Sequence, residues 1–215
     1  MKPISIATLN IGAASKERAQ RILKDWIAQS DFDCFVLTES SEGDGTDLIV
    51  AAFLDVGWKI FRRHTEPGDR GVVVASRISA AQSHSYPLDD PAPGRSIMID
   101  LDTSPGITLI GMYVPNRGND FAKTDRKKSY LDCWLRYLAE KPQVQQRILI
   151  GDLNVVPTEQ KPTFLPQEGF EYSWYSKLCN ESGLYDAAVA HNRGGHESTA
   201  YSGRCGPVIP LDVGH

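Results

Sequence analysis

Short apolar runs alternate with longer amphipathic segments along the chain. The runs at 4–9, 34–37 and 147–150 are mostly apolar and close with polar or glycine residues, which is typical of buried strands. Between the first two runs, residues 15–29 have apolar side chains at three-four spacing, which predicts a helix that begins after Ser15. A strand, a helix and a second strand predict a parallel pair, with Asn10 and Glu39 at equivalent ends.

The rest of the chain extends this alternation. Helical spacing is found at 47–56, 124–140 and 174–182, and strand-like runs at 58–62, 70–77, 95–102 and 107–116. The pair Pro105-Gly106 predicts an antiparallel connection between the last two of these runs. Two strand-like pieces follow near the end of the chain, one around Tyr201 and one at 211–213. The alternation of strands and helices predicts an α/β fold.

Composition adds constraints on size, location and partners. The 215 residues, 41% of them hydrophobic, have no break in composition, which predicts a single domain over 1–215. A net charge of −4 gives no general attraction to polyanions, so a nucleic acid would need a local basic patch or a bound cation. Four scattered cysteines, no signal peptide pattern and no long apolar run predict a soluble cytoplasmic protein with no membrane partner.

Polar side chains at the predicted strand ends are the candidates for chemistry. Asp152 and Asn154 follow the run that Gly151 ends, and they point to the same side if the backbone stays extended. A carboxylate and an amide there suit a hard metal ion or a phosphate, although this tetrapeptide alone is more simply explained by a turn in which both side chains bond nearby backbone groups. Glu39 alone is explained by a solvated strand end.

Further polar residues, Tyr113 and Asn116, lie near the end of the strand-like run at 107–116. Tyr113 stands where this apolar run gives way to Pro115, and a tyrosine there is ordinarily a packing residue. The segment 117–128 is rich in Lys and Arg, which predicts either a solvated helix start with mixed charge or a patch for an anionic ligand.

Five motifs together are more specific than any of these residues alone. In chain order they are TLNIG at 8–12, LTES at 37–40, GMYVPN at 111–116, GDLN at 151–154, and TAYSG at 199–203 followed by LDV at 211–213. In this order and spacing the chain resembles the endonuclease/exonuclease/phosphatase family, and most closely its exodeoxyribonuclease III-like branch. The resemblance implies a four-layer α/β sandwich, with two mixed β-sheets face to face and helices outside.

The resemblance also implies an activity and a cofactor. The chain is expected to be a divalent-metal-dependent phosphodiester hydrolase, a nuclease that acts on DNA in repair, with Mg²⁺ as the metal and Mn²⁺ as an alternative. Glu39 and Asn10 match the residues of the family's metal site, and Asp152 matches the residue that activates the attacking water. An oxygen-ligated cation would neutralise charge that develops at phosphorus, and a carboxylate can accept the proton of the water.

Four further residues match other positions of the family's active site. Tyr113 matches the phosphate-contacting tyrosine and Asn116 a neighbour that positions the phosphate. Asn154 matches the partner that orients the substrate or the water. Asp212 matches the aspartate that holds the family's catalytic histidine.

The chain departs from the family pattern at two places. Gly12 replaces an Asn or Asp that nuclease members usually have two residues after Asn10, and the C-terminal SDH motif is missing. His215, three residues after Asp212, would point to the opposite face of an extended strand. We therefore expect that the chain stops before its last strand or strands, and that the 215-residue form is weakly active or inactive.

These departures keep two alternatives open. One is a non-catalytic relative that binds phosphate-containing ligands without cleaving them, and the other is a phosphatase that acts on a small phosphorylated substrate.

Overall fold

Two four-stranded sheets are the framework of the chain in this computed structural model, which describes residues 3–118, 120–140, 146–155 and 169–187. The first sheet has the order β1-β2-β4-β3, formed by Ile6–Asn10 (β1), Cys34–Ser40 (β2), Lys59–Arg62 (β3) and Gly71–Ser76 (β4). Strands β1 and β2 are parallel, while β4 runs antiparallel to both β2 and β3. The first sheet is therefore mixed, and its parallel pair is the one that the sequence predicts.

The second sheet is also mixed. Its order is β5-β6-β7-β8, formed by Ala80–Gln82 (β5), Ser96–Leu101 (β6), Ile107–Tyr113 (β7) and Gln146–Asp152 (β8). Strands β6 and β7 form the predicted antiparallel pair, and β8 is parallel to β7. The short strand β5 was not predicted, because three residues give too little alternation to reveal a strand.

Four α-helices occur in the described ranges. They are Lys16–Ile22 (α1), Asp44–Asp55 (α2), Phe121–Glu140 (α3) and Gly169–Glu181 (α4), and a π-helical turn at Leu23–Ile27 continues α1. The Ser15 hydroxyl accepts a hydrogen bond from the Arg18 amide, as an N-cap residue does. The prediction of a helix after Ser15 is confirmed, with a change from α to π geometry in its last turn.

Both faces of the first sheet are covered by apolar side chains. Between the sheets, Val36 and Val72 pack in one buried cluster with Ile97 and Leu109 of the second sheet. A Cβ atom on Gly111 would lie 2.9 Å from a Val36 methyl carbon, so the absence of a side chain lets the sheets approach closely there. Residues of α1 and α2 form a second cluster with the other face of the first sheet, among them Ile22, Ile49 and Phe53.

The described residues separate into two compact units. Both sheets, α1 and α2 belong to the first unit, and α3 and α4 belong to the second. In the second unit the Trp174 indole donates a hydrogen bond of 2.7 Å to the Leu131 carbonyl oxygen, which joins α4 to α3. The prediction of one domain over 1–215 stays a prediction.

The start of α3 corrects one expectation about the basic segment 117–128. The helix begins at Phe121, one turn before the predicted start, and it includes most of this segment. Lys127 is not solvated, since it is 2% exposed and forms an ion pair with the equally buried Glu171 of α4. A lysine can enter the interior only with such a partner, and the partner lies too far along the chain for a local pattern to reveal it.

Candidate active site

The ends of two parallel strand pairs, β1 with β2 and β7 with β8, bring four predicted site residues together in the first unit. Asn10 ends β1 and pairs in register with Thr38, next to Glu39 of β2. Asp152 ends β8 and pairs with Tyr113, the last residue of β7. Because the C-terminal ends of parallel strands meet at one edge, the two sheets present these side chains to the same region.

Glu39 reaches this region through an irregularity in its strand. The register between β2 and β4 shifts between Thr38 and Ser40, and Glu39 between them has φ of 55°. The left-handed conformation costs a non-glycine residue on the order of 1 kcal/mol, and a bulge of this kind changes the direction of a side chain. The strand therefore departs from regular geometry at the residue that the sequence predicts as the metal-binding carboxylate.

The amide of Asn10 joins the two carboxylates of the site. Its nitrogen Nδ2 donates to Glu39 Oε1 at 2.8 Å and to Asp152 Oδ2 at 3.2 Å. Its oxygen Oδ1 accepts a hydrogen bond of 2.9 Å from the Gly12 amide, which fixes the orientation of the side chain. Two carboxylates from two different sheets thus converge on one nitrogen atom.

These donors fit a hard divalent cation. Mg²⁺ in proteins takes one or two carboxylates and keeps several waters, and Glu39 with Asp152 could supply them. In the described ranges, no three His, Cys, Asp or Glu side chains cluster in a way that could enclose an ion. Direct ligation by the Asn10 oxygen would require the amide to turn over and release Gly12. The metal role of Glu39 and Asn10 stays a prediction.

Two arginines at the site were not predicted from the sequence. Arg70 Nη1 forms a short ion pair with Glu39 Oε2. Arg95 forms an ion pair with Asp69, and the same Asp69 oxygen accepts a 2.8 Å hydrogen bond from the Arg70 amide. The site therefore includes positive charge next to the Glu39 carboxylate and next to Tyr113, although the chain as a whole is acidic.

Tyr113 is held as a neutral hydrogen-bond donor. The side chain is 3% exposed, and the Arg95 guanidinium carbon lies 4.4 Å from the centroid of the ring. Burial raises the pKa of the phenol, and the charges of Glu39 and Asp152 raise it further, while Arg95 opposes the shift. The hydroxyl thus keeps its proton at neutral pH, as a group that donates to a phosphate oxygen must.

A topological signal could have identified both arginines. Gly71 at the start of β4 pairs with Ser40 at the end of β2, and Ser96 at the start of β6 pairs with Met112 near the end of β7. The start of an antiparallel strand lies beside the end of its partner, so Arg70 and Arg95 precede their strands at the same edge as Glu39 and Tyr113. The strand order was needed to apply this rule.

Gly151 leaves room for the backbone immediately before Asp152. Its φ is 145°, and a Cβ atom there would lie 2.0 Å from the Met112 carbonyl oxygen of the neighbouring strand. No side chain fits in this position without separating β8 from β7. Glycine is therefore required for the approach that places Asp152 next to Tyr113.

Three predicted site residues belong to the second unit or lie outside the described ranges. Strand β8 ends at Asp152 and Asn154 has φ of 49°, so the premise of an extended backbone through Asn154 is wrong. In the second unit, the Asn154 amide donates to the Val114 carbonyl oxygen at 2.8 Å, and Asn116 is exposed after β7. Asp212 and the motifs at 199–203 and 211–213 lie outside the described residues.

A comparison with protein families gives one match over nearly the whole chain. The model of the Endonuclease/Exonuclease/phosphatase family matches residues 7–212. No curated protein matches the sequence.

Solved structures with the same fold are more numerous. An AP endonuclease from Archaeoglobus fulgidus has a TM-score of 0.68 at 21% identity, over 93% of this chain and 80% of that chain. A 3′ phosphatase from Neisseria, bound to a product DNA hairpin, has a TM-score of 0.70 at 21% identity, over 89% and 76%. An AP endonuclease from Leishmania major has a TM-score of 0.68 at 15% identity, over 90% and 71%. These similarities confirm the predicted fold of two mixed sheets flanked by helices.

Proposed function

Since the chain belongs to the Endonuclease/Exonuclease/phosphatase family, we propose that it is a divalent-metal-dependent phosphodiester hydrolase that acts on DNA, as exodeoxyribonuclease III-like nucleases do. The observation that carries this proposal is the convergence of Glu39 and Asp152 on the Asn10 amide. Two carboxylates held this close repel each other, and a divalent cation relieves the repulsion.

Three of the described residues would each have a separate role in hydrolysis. Glu39 would hold the cation, which supplies charge neutralisation at the phosphate when it is bound. Asp152, half-buried at the end of β8, would accept the proton of the attacking water. The Tyr113 phenol, protonated at neutral pH, would donate to a non-bridging phosphate oxygen as negative charge develops there.

DNA as the substrate is supported by the neighbours in fold. Two of them are described as AP endonucleases, and the third was solved with a DNA hairpin as its product. With a net charge of −4, the chain would bind the DNA backbone through local cations, and Arg70 beside Glu39 is one such group.

A phosphatase is the second candidate. The neighbour from Neisseria is described as a 3′ phosphatase, so the same fold carries monoester hydrolysis at a DNA end. The chemistry asks for the same carboxylates and the same phenol, because both reactions add negative charge at phosphorus. The substrate, and not the site geometry, distinguishes the two.

A turnover screen with a matched variant tests the proposal. Duplex DNA with an abasic site, with a free 3′ end or with a 3′ phosphate, and inositol phosphates, would be incubated with the protein at saturating Mg²⁺. We expect cleavage of at least one DNA substrate, and we expect Glu39→Gln to lower the rate by a factor of about 10³ or more, because the variant keeps the shape of the side chain and loses its charge.

The screen also has outcomes that contradict the proposal. Equal turnover by the wild type and Glu39→Gln would exclude the metal role of Glu39. Phosphate-ligand binding without any turnover would identify a non-catalytic relative, and turnover of inositol phosphates alone would exclude DNA as the substrate. A circular dichroism spectrum unchanged in Glu39→Gln is the control for folding.

A further inference from the structure

Both oxygens of the Glu39 carboxylate already have partners. Oε1 accepts from the Asn10 amide at 2.8 Å, and Oε2 forms the short ion pair with Arg70. A guanidinium therefore occupies the oxygen atom that a divalent cation would also need. If the proposed function is correct, Arg70 and the cation compete for Glu39.

The two arginines of the site differ in what holds them. Arg95 is a buried group with a side chain 10% exposed, fixed between Asp69 and the Tyr113 ring. The Arg70 side chain is 42% exposed, while its backbone amide is anchored by Asp69 at 2.8 Å. The Arg70 guanidinium can thus change partner through side-chain rotation, and its backbone stays in place.

We propose that Arg70 is a phosphate-binding residue that the Glu39 carboxylate holds in reserve until a divalent cation binds. This inference rests on the proposed function. When the cation takes Glu39, two positive groups on one carboxylate repel each other, and the guanidinium is released toward the entering phosphodiester. Its planar fork matches two phosphate oxygens, which an ammonium group cannot contact in the same way.

This exchange has a thermodynamic consequence. A residue that opposes cation binding in the free protein and stabilises the bound phosphate couples the two ligands, so the cation and the substrate strengthen the binding of each other. Removal of Arg70 should therefore change the two affinities in opposite directions. A residue with a purely structural role would weaken both.

The test measures cation affinity separately from turnover. Mn²⁺ binding to substrate-free protein would be titrated by calorimetry for the wild type and for Arg70→Gln. We expect Arg70→Gln to bind Mn²⁺ about three- to tenfold more tightly, the range for a partly exposed competing ion pair. At saturating Mn²⁺ we expect its kcat/KM on the best DNA substrate to fall roughly 10- to 100-fold, the loss for one charged hydrogen bond.

Two further variants complete the design. Lys59→Gln removes the same charge at the far end of the first sheet, where Lys59 is exposed and pairs with Ser76, and it should leave both quantities within about twofold of the wild type. Arg70→Lys keeps the charge and should restore the wild-type Mn²⁺ affinity while recovering only part of the turnover.

Each remaining outcome overturns a defined statement. If Arg70→Gln binds Mn²⁺ no more tightly than Lys59→Gln does, or binds it more weakly, the inference is wrong while Mn²⁺-dependent turnover by the wild type leaves the proposed function standing. If the wild type and Glu39→Gln bind Mn²⁺ equally, both fail. Thermal unfolding shows whether each variant is folded. If Arg70→Gln is not folded, the Mn²⁺ affinity and the turnover of Arg70→Lys decide whether the inference holds.

Discussion

At the scale of single residues, the site depends on how a few polar groups are oriented. The Asn10 amide has a fixed orientation because its oxygen accepts a hydrogen bond from the Gly12 amide. The nitrogen of the same side chain then faces Glu39 and Asp152. Tyr113 has a fixed protonation state because burial and two carboxylates keep its proton in place. Orientation and protonation, more than residue identity, suit this site to the phosphate chemistry that we propose.

The stacking of Arg95 on Tyr113 leads to a prediction about turnover. We expect Arg95→Lys to lower kcat by about tenfold, because a lysine cannot stack on the ring and hydrogen-bond Asp69 at once. In a double-mutant cycle with Tyr113→Phe, the two losses should be non-additive by 1 kcal/mol or more, on the order expected for groups that act together. Additive losses would exclude a positioning role.

Arg77→Lys is the matched control for this variant. Arg77 also pairs with an aspartate, Asp33, and its guanidinium lies 5.7 Å from the centroid of the Trp58 ring. However, it follows the C-terminal end of β4, whereas the site lies at the start of this strand. It should lose some stability and no turnover.

The raised pKa of Tyr113 predicts the pH dependence of its contribution. A phenol donates only while it is protonated, so the rate advantage of the wild type over Tyr113→Phe should persist up to about pH 10 and disappear only above that. The ratio of the two kcat/KM values, measured across the pH range in which both proteins stay folded, checks this. A ratio that already declines between pH 7 and 9 would mean that the phenol ionises below its usual range, against the raised pKa.

At the scale of elements, the pairing of β8 with β7 determines where Asp152 lies. We expect Gly151→Ala to lower the free energy of unfolding by about 2–3 kcal/mol or more, because the added methyl group overlaps the Met112 backbone and overpacking of this kind cannot relax through a side chain. Chemical denaturation measures the change. Gly57→Ala is the control, since Gly57 also has a positive φ, 82°, but nothing lies within 4 Å of an added Cβ. It should lose only about 1 kcal/mol.

A loss in Gly151→Ala no larger than that in Gly57→Ala would show that backbone conformation, and not the contact with β7, explains the glycine.

The contact between α3 and α4 contains the buried pair Lys127–Glu171. With side chains 2% and 1% exposed, the pair is buried, and removal of Lys127 leaves the Glu171 carboxylate with weaker contacts such as Arg117 Nε at 3.9 Å, so Lys127→Met should destabilise the protein by about 3–5 kcal/mol. The double variant Lys127→Met/Glu171→Leu should recover most of this loss, because a buried pair can be replaced by apolar groups at little cost. Denaturation curves of the three proteins check this. A double variant as unstable as Lys127→Met would show that the other contacts of Lys127, such as its 2.7 Å bond to the Asn154 carbonyl oxygen, dominate.

At the scale of the whole molecule, an acidic chain carries the site for which we propose an anionic substrate. The net charge of −4 repels the DNA backbone at long range, so affinity has to come from local groups and a bound cation. No helix in the described part of the chain is long and apolar enough to cross a bilayer. The cytoplasmic location stays a prediction.

The charge predicts how DNA binding depends on ions. Without a divalent cation we expect duplex DNA to bind more weakly than about 10⁻⁴ M at physiological salt, the weak end of the non-specific range. When Mn²⁺ is added, the wild type should gain affinity for the duplex. The Glu39→Gln variant is the control and should not gain affinity. Fluorescence anisotropy of a labelled duplex measures both. Tight binding without a cation would show that basic side chains alone are sufficient to hold the DNA.

Local pattern was sufficient for most elements and for the residues at the ends of parallel strands. The periodicity of apolar positions predicted the parallel pair β1 and β2, the antiparallel pair β6 and β7 and the helix after Ser15. Because a parallel crossover places successive strand ends at one edge, Asn10 and Glu39 could be predicted as neighbours. Asp152, which ends a strand of the other sheet, was added to them by the resemblance to the family. The motifs predicted the family, which the match over residues 7–212 confirms.

Only the tertiary structure decided which charges meet at the site. Arg70 lies 31 positions from Glu39, and their contact depends on the placement of β4 beside β2. Arg95 lies 26 positions from Asp69, and their contact depends on the packing of the two sheets, because Asp69 precedes β4 and Arg95 precedes β6. The same holds for Lys127, whose partner Glu171 lies 44 positions away. A one-dimensional pattern specifies which face of an element is apolar, because that depends on neighbours three, four or two residues away. It does not specify which distant polar group completes a buried or half-buried charge, because that depends on the packing of whole elements.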